Sequence, residues 1–137
     1  MSNMLPLEGR IRIEEYVRED GSVPYRAWFD GLDAQAAAKV VVALVRLSLG
    51  NTSNVKWFSG IGEYVLNWGP GYRVYLAKDG EALIVLLGGG TKSRQDADIE
   101  RAKALHAEYK SRKARGARAN PPAGGPATRA ARSRKRR

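Results

Sequence analysis

Polar side chains on two short strand-like segments form the clearest chemical pattern in the sequence. Residues 72–77 place Arg73 and Tyr75 on one face of a strand, and the preceding segment places Glu63 and Asn67 on one face of its own. A cationic, aromatic face with one carboxylate can bind RNA phosphates and stack bases. The same residues also fit a solvated sheet face on which Arg73 pairs with Glu63, so both interpretations stay open.

Further cations lie near these segments, whereas the usual metal ligands are scarce. Lys56 lies in the loop that leads into the strands, and Lys92 and Arg94 flank the start of a predicted helix. The chain has no cysteine, and His106 is its single histidine. A zinc site or a Ser-His-Asp triad therefore lacks its residues, and the sequence predicts no metal and no cofactor.

Three consecutive glycines, residues 88–90, precede the last predicted helix. A phosphate-binding loop of the P-loop type would need Gly-Lys-Ser/Thr at a fixed spacing, and that pattern does not follow. A close approach of the backbone to a neighbouring element, or a flexible loop, is the favoured interpretation.

The first half of the chain predicts one strand and two helices. Residues 10–17 alternate and predict a strand, Ser22 is a candidate N-cap for a short helix, and Gly31 ends that helix. Asp33 is placed to cap a second helix over residues 34–49. Three successive valines in that segment leave a buried strand as the alternative.

The second half predicts an antiparallel meander followed by a helix. Residues 63–68, 72–77 and 82–87 have strand composition and are joined by tight Gly-Pro-Gly and Asp-Gly turns. A third helix begins near Ser93, its predicted N-cap. Together these elements predict an α+β fold.

The positive charge of the chain is confined to its C-terminal part. The net charge of +10 arises from 13 Lys or Arg against 14 Asp or Glu up to Glu108, followed by 11 Lys or Arg and no acid. We therefore predict a nearly neutral domain over residues 1–110 and a disordered basic tail over residues 111–137. No signal peptide or membrane-spanning segment is evident, which predicts a cytoplasmic protein.

Three stretches resemble a known family when taken together. They are GPGYRVY at 69–75, LLGGGTKS at 86–93 and QDADI at 95–99. Over residues 10–110 the chain resembles the RelE/ParE superfamily of bacterial toxins, and within it the HigB-like branch of phage-type addiction-module killer proteins. The resemblance implies a RelE-like α+β fold: two N-terminal helices packed on an antiparallel sheet, with a helix after the last strand.

The resemblance also implies a function. Members are toxins of type II toxin–antitoxin modules and are silenced by a cognate antitoxin protein. Many inhibit translation by cutting messenger RNA on the ribosome, and they do so without a metal, because the RNA 2′-hydroxyl attacks the adjacent phosphate. The implied partners are thus an antitoxin, the ribosome and messenger RNA, in the cytoplasm.

Site residues follow from the same motifs. Arg73 is expected to bind the scissile phosphate, and Tyr75 is expected to stack on a base or donate a hydrogen bond. For Glu63 we favour a salt bridge to Arg73 over proton transfer. The full implied set is Arg73, Lys92, Tyr75 and Arg94 for catalysis, with RNA contacts from Lys56, Tyr72 and Glu63.

One departure from the family pattern opens two alternatives. Val65 stands where relatives carry an arginine, and an apolar side chain cannot supply a cationic contact to phosphate. Arg94 and Lys56 would then carry more of the charge, or the chain would be a catalytically inactive antitoxin-binding protein. A ParE-like poison of DNA gyrase, which acts by protein contact, is the remaining alternative.

Overall fold

The computed structural model describes residues 10–119, and most of these residues lie in helices or strands. Two compact units divide the chain, one ending at His106 and one starting at Ala107. In chain order the elements are β1 (Arg12–Glu15), α1 (Pro24–Asp30), α2 (Ala34–Ser48), β2 (Val55–Phe58), β3 (Ile61–Leu66), β4 (Tyr72–Lys78), β5 (Leu83–Thr91), a short 3-10 helix (Lys92–Arg94) and α3 (Gln95–Ala119).

The five strands form one mixed sheet in the order β1-β5-β4-β3-β2. Strands β2 to β5 pair antiparallel, which confirms the predicted meander, but β1 pairs parallel with β5. The predicted fold class, with two N-terminal helices on an antiparallel sheet, is therefore wrong. Instead, two short helices of 7 and 15 residues precede β2, and a single long helix of 25 residues follows the mixed sheet.

The parallel pair could not be predicted from the pattern of β1. Alternation along four residues indicates a strand, but it does not say which strand will lie beside it or in which direction. Here Arg12 pairs with Leu83 and Glu15 with Leu86, so partners about 70 residues apart in sequence decide the sheet type.

Strand β2 and its hairpin were also missed. Lys56, predicted in the loop leading into the meander, instead belongs to β2 and lies opposite Glu63 of β3. The turn between β2 and β3 consists of Ser59 and Gly60, both with positive φ, at 51° and 82°. Two such residues suit the tight turns that favour a hairpin.

Helix starts agree with the sequence at one position and differ at another. The Asp33 side chain accepts a hydrogen bond of 2.8 Å from the backbone N–H of Ala36, so the predicted cap of α2 is confirmed. Residues 34–48 form a helix, so the alternative of a buried strand in this segment is wrong. For α1 the N-cap is Val23, which makes no side-chain hydrogen bond, so the predicted cap by Ser22 is wrong. The Ser22 hydroxyl donates to Asp20 instead.

The end of the sheet differs from the prediction in a way that affects the candidate site. Strand β5 continues through the three glycines to Thr91, and Ser93 lies in the 3-10 helix rather than capping α3. Helix α3 continues through residues 111–119, the first part of the predicted disordered tail. It does so because Ala, Arg and Lys are good helix formers. The rest of the predicted tail, residues 120–137, lies outside the described residues.

Helices cover both faces of the sheet. On one face, Tyr25 of α1 and Val40 and Leu47 of α2 pack with Val74 and Leu76 of β4 in the main apolar cluster. On the other face lies the first part of α3, where Ala102 and Leu105 are buried. Among residues 10–119, no helix combines the length and apolar character needed to cross a membrane.

Candidate functional site

The candidate site begins on neighbouring strands of the face toward α3. Glu63 of β3 lies directly opposite Tyr75 of β4, and Val65 lies directly opposite Arg73. Directly opposed residues of an antiparallel pair point to the same side of the sheet. The sheet therefore brings Glu63, Arg73 and Tyr75 together, as their alternation predicts.

Glu63 is the centre of a buried polar network. It is 1% exposed, and its Oε2 accepts hydrogen bonds from the Tyr75 hydroxyl at 3.1 Å and from Gln95 Nε2 at 2.7 Å. A buried carboxylate is costly unless it is hydrogen-bonded and paired, so these donors stabilise it. Burial, together with the negative charge of Glu63, raises the pKa of Tyr75, which keeps the phenol protonated.

Arg73 supplies the opposite charge. Its Nε lies 3.7 Å from Glu63 Oε2, and its Nη1 donates to the carbonyl oxygen of Gly71 at 3.2 Å. The predicted Arg73–Glu63 salt bridge is thus confirmed. The Arg73 side chain is 9% exposed, and its Nε makes no hydrogen bond within the described part of the chain. The guanidinium is therefore held in one place by the carboxylate and the carbonyl.

Gly71 brings Lys92 close to Arg73. A Cβ at Gly71 would lie 3.2 Å from Lys92 Cβ and 3.3 Å from Arg73 Nη1, and Gly71 has a φ of +78°. The positive φ favours glycine here, and a Cβ would also be tightly placed against both neighbours. Lys92 is exposed, and its backbone N–H donates to the Pro70 carbonyl. The base of the Lys92 side chain and the Arg73 guanidinium thus both lie beside Gly71, at one end of β4.

A cleft of about 480 Å³ lies beside the glycine-rich end of β5. Trp28 packs against Gly89, and the Asp98 carboxylate packs against Gly90, where in each case a Cβ would overlap the neighbouring side chain. Gly89 and Gly90 therefore serve the close backbone approach expected for the glycines, whereas a Cβ at Gly88 would meet nothing within 4 Å among the described residues. Arg94 and Arg101 also line this cleft, and Arg101 Nη1 donates to Asp98 Oδ1 at 3.1 Å.

The remaining predicted RNA contacts differ in the face of the sheet on which they lie. Tyr72 is on the opposite face, stacked on Trp68 with ring centroids 6.0 Å apart and edge-on to Trp28 at 6.4 Å. Lys56 is exposed and shares the face of Glu63, but it belongs to β2 rather than to a loop. Tyr75 is 1% exposed, so in this arrangement it donates to Glu63 and has no free face on which a base could stack.

Sequence reasoning assigned no role at the site to Gln95 and Asp98. Gln95 is the closest donor to Glu63, and Asp98 is buried with an Oδ2 that has no hydrogen-bond partner among residues 10–119. Both lie in the QDADI stretch at 95–99 that contributes to the family resemblance, and that was the signal available. Within residues 10–119, no group of three or more His, Cys, Asp or Glu could hold a metal ion.

Comparison with known proteins shows a relative of this chain. No protein-family model matches the sequence. An uncharacterized protein of Haemophilus influenzae is 39% identical over 89 residues, which span 64% of this chain and 90% of that protein. The chain belongs to the same family as this Haemophilus protein.

Proposed function

We propose that this protein is the toxin of a type II toxin–antitoxin module, a member of the RelE/ParE superfamily that inhibits translation by cutting messenger RNA on the ribosome. The three sequence motifs support the assignment. The observation that supports the chemistry best is that the Arg73 guanidinium and the base of the exposed Lys92 side chain both lie beside Gly71. From there both cations can reach a phosphate that gains negative charge during reaction.

In the proposed reaction the RNA supplies its own nucleophile. The 2′-oxygen forms a bond to the adjacent phosphorus, and the bond between that phosphorus and the 5′-oxygen breaks. The proton of the 2′-hydroxyl is transferred to the leaving 5′-oxygen. Lys92 and the small exposed part of Arg73 stabilise the charge on the phosphate oxygens. Glu63 is 1% exposed, so we assign it the role of holding Arg73 in position rather than that of a base in contact with RNA.

The first experiment is expression in bacteria with mapping of messenger RNA 5′ ends. The wild-type chain should create new ends within translated frames, and Arg73→Ala should abolish them. Lys92→Ala is the more informative variant, because Lys92 is exposed and its loss leaves the Glu63 network intact. The Lys92→Ala variant should cleave less RNA than the wild type and should have the same melting temperature.

The matched control is Arg12→Ala, which removes an exposed arginine from β1. It should cleave like the wild type. Wild-type patterns of new ends from both Arg73→Ala and Lys92→Ala would contradict the proposal. Growth arrest without new ends, accompanied by a DNA-damage response, would indicate a poison of DNA gyrase.

One observation favours a second candidate function, that of an inactive antitoxin-binding protein. Val65 lies directly opposite Arg73, so the arginine that it replaces would have stood beside the phosphate-binding cation. The experiment is Val65→Arg. If the wild-type chain cleaves no RNA but this variant does, the protein is an inactive form of the enzyme.

A further inference from the structure

Helix α2 carries two apolar stripes, and the main core uses only one of them. Buried Ala36, Val40, Ala43 and Leu47 face the interior. A second apolar set, shifted along the helix by two residues, consists of Ala38, Val42, Val45 and Leu49. A shift of two residues is a rotation of about 200° around a helix, so the second set lies on the side facing away from the core.

The outer stripe is exposed. Val42 is 48% exposed, Val45 52% and Leu49, just past the helix end, 55%, and the neighbouring Val41 is 48% exposed. Single exposed apolar residues are ordinary, but a contiguous group of them on one helix face marks an interaction surface.

The spacing within the stripe indicates the shape of its partner. The steps from Ala38 to Val42, Val45 and Leu49 are four, three and four residues, which is the seam of a heptad repeat. A second helix can pack its own seam into such a stripe, whereas an extended strand cannot match a spacing of 3.5 residues. The occupant that fits is an amphipathic α-helix.

Charges beside the seam indicate the sign of that partner. Lys39 and Arg46 follow the seam residues Ala38 and Val45, and both are exposed. They also line a groove of about 550 Å³ between α2 and the end of β3, together with Val42, and the Lys39 ammonium lies over the Trp68 ring at 4.9 Å. Flanking charges of this kind select the partner helix.

A second copy of this chain fits the surface poorly. Antiparallel pairing of two α2 helices would place Lys39 and Arg46 against the same cations of the other copy, which is repulsive. Parallel pairing would set them beside Val41 and Ser48, which carry no charge. An acidic helix from another protein would satisfy both cations.

We propose that the outer face of α2 is a docking surface for an acidic amphipathic α-helix of another protein, which packs an apolar seam on Ala38, Val42, Val45 and Leu49 and pairs its carboxylates with Lys39 and Arg46. Docking there uses no residue of the Arg73–Lys92 site, so a test of docking is independent of a test of RNA cleavage.

The test measures binding of a synthetic helical peptide to the full chain by fluorescence anisotropy. The probe has roughly three heptads, with leucine at the seam and glutamate at the flanking positions. A scrambled peptide of identical composition controls for attraction to the basic C-terminal residues. We expect the ordered peptide to bind roughly tenfold more tightly than the scrambled one, and Val45→Glu to remove that difference.

A charge-reversal variant provides the second measurement. Lys39→Glu combined with Arg46→Glu should exchange the preference, so that a lysine-flanked peptide of the same seam binds roughly tenfold better than the glutamate-flanked one. All three positions are exposed, so circular dichroism should show unchanged folding in both variants.

Three results would overturn the proposal. The first is equal binding of ordered and scrambled peptides, which would assign the affinity to the basic C-terminal residues alone. The second is binding that Val45→Glu leaves unchanged. The third is a dimer in sedimentation that Val45→Glu dissociates and the peptide does not displace, which would make a second copy the occupant.

Discussion

Replacement of Glu63 by glutamine should destabilise the protein by about 3 to 5 kcal/mol, the range observed when one partner of a buried ion pair is removed. The change is isosteric, so it leaves no cavity, and the new amide oxygen can still accept from Tyr75 and Gln95. What it removes is the negative charge 3.7 Å from Arg73 Nε. Arg73, whose side chain is 9% exposed, would then be a buried cation with only the Gly71 carbonyl for compensation.

Urea unfolding followed by circular dichroism measures this loss. A domain of about 100 residues has roughly 5 to 15 kcal/mol of stability, so the loss is a large share of the total and should lower the midpoint strongly at an unchanged slope. The matched control is Glu14→Gln, which breaks the exposed pair of Arg12 and Glu14 and should leave the urea midpoint nearly unchanged, because water screens exposed ion pairs. A Glu63→Gln variant as stable as this control would refute the inference that Glu63 compensates Arg73.

A double variant separates the charge from the packing. Glu63→Met combined with Arg73→Met removes both charges and leaves apolar side chains of similar volume. It should be more stable than Glu63→Gln, because replacing a buried pair as a whole is often close to neutral. A double variant that is less stable than the single one would show that the remaining hydrogen bonds, and not the charge, dominate.

Three further predictions concern positions outside this network. Gly90→Ala should prevent normal packing of Asp98 and lower the melting temperature. Gly116→Ala should instead raise helicity and stabilise α3 by about 0.5 to 1 kcal/mol, because in the described part of the chain nothing beyond its own helix backbone and chain neighbours lies within 4 Å of the new Cβ. Equal effects would contradict the close approach at Gly90. Asp33→Ala should cost about 1 kcal/mol in urea unfolding through loss of its cap, and no loss would contradict that role. Burial raises the pKa of Tyr25 to about 12, above the value of about 10 in an unfolded chain. Its stabilising contribution is therefore complete below pH ~10 and lost between pH ~10 and ~12; a Tyr25→Phe variant should lose less stability over that interval, and an identical loss would count against the raised pKa.

Local chemistry in the sequence was sufficient for several features of the site. Alternation along β4 places Arg73 and Tyr75 on one face, and the favoured interpretation of Glu63 as a salt-bridge partner of Arg73 agrees with the structure. The cap of α2 was equally predictable, because Asp33 needs only a backbone N–H three residues away. Each of these features depends on residues close in sequence or on neighbouring strands joined by a tight turn.

The sequence by itself therefore determined the helices, the antiparallel meander and the face on which the polar residues lie. Only the tertiary structure decided that β1 runs parallel to β5, that Tyr75 is buried and that Tyr72 faces away from Arg73. Only the tertiary structure shows that Gln95 donates a hydrogen bond to Glu63 and that the outer stripe of α2 is exposed. The physical reason is that periodicity and capping are local, whereas strand direction and burial depend on which distant segments come to lie against one another.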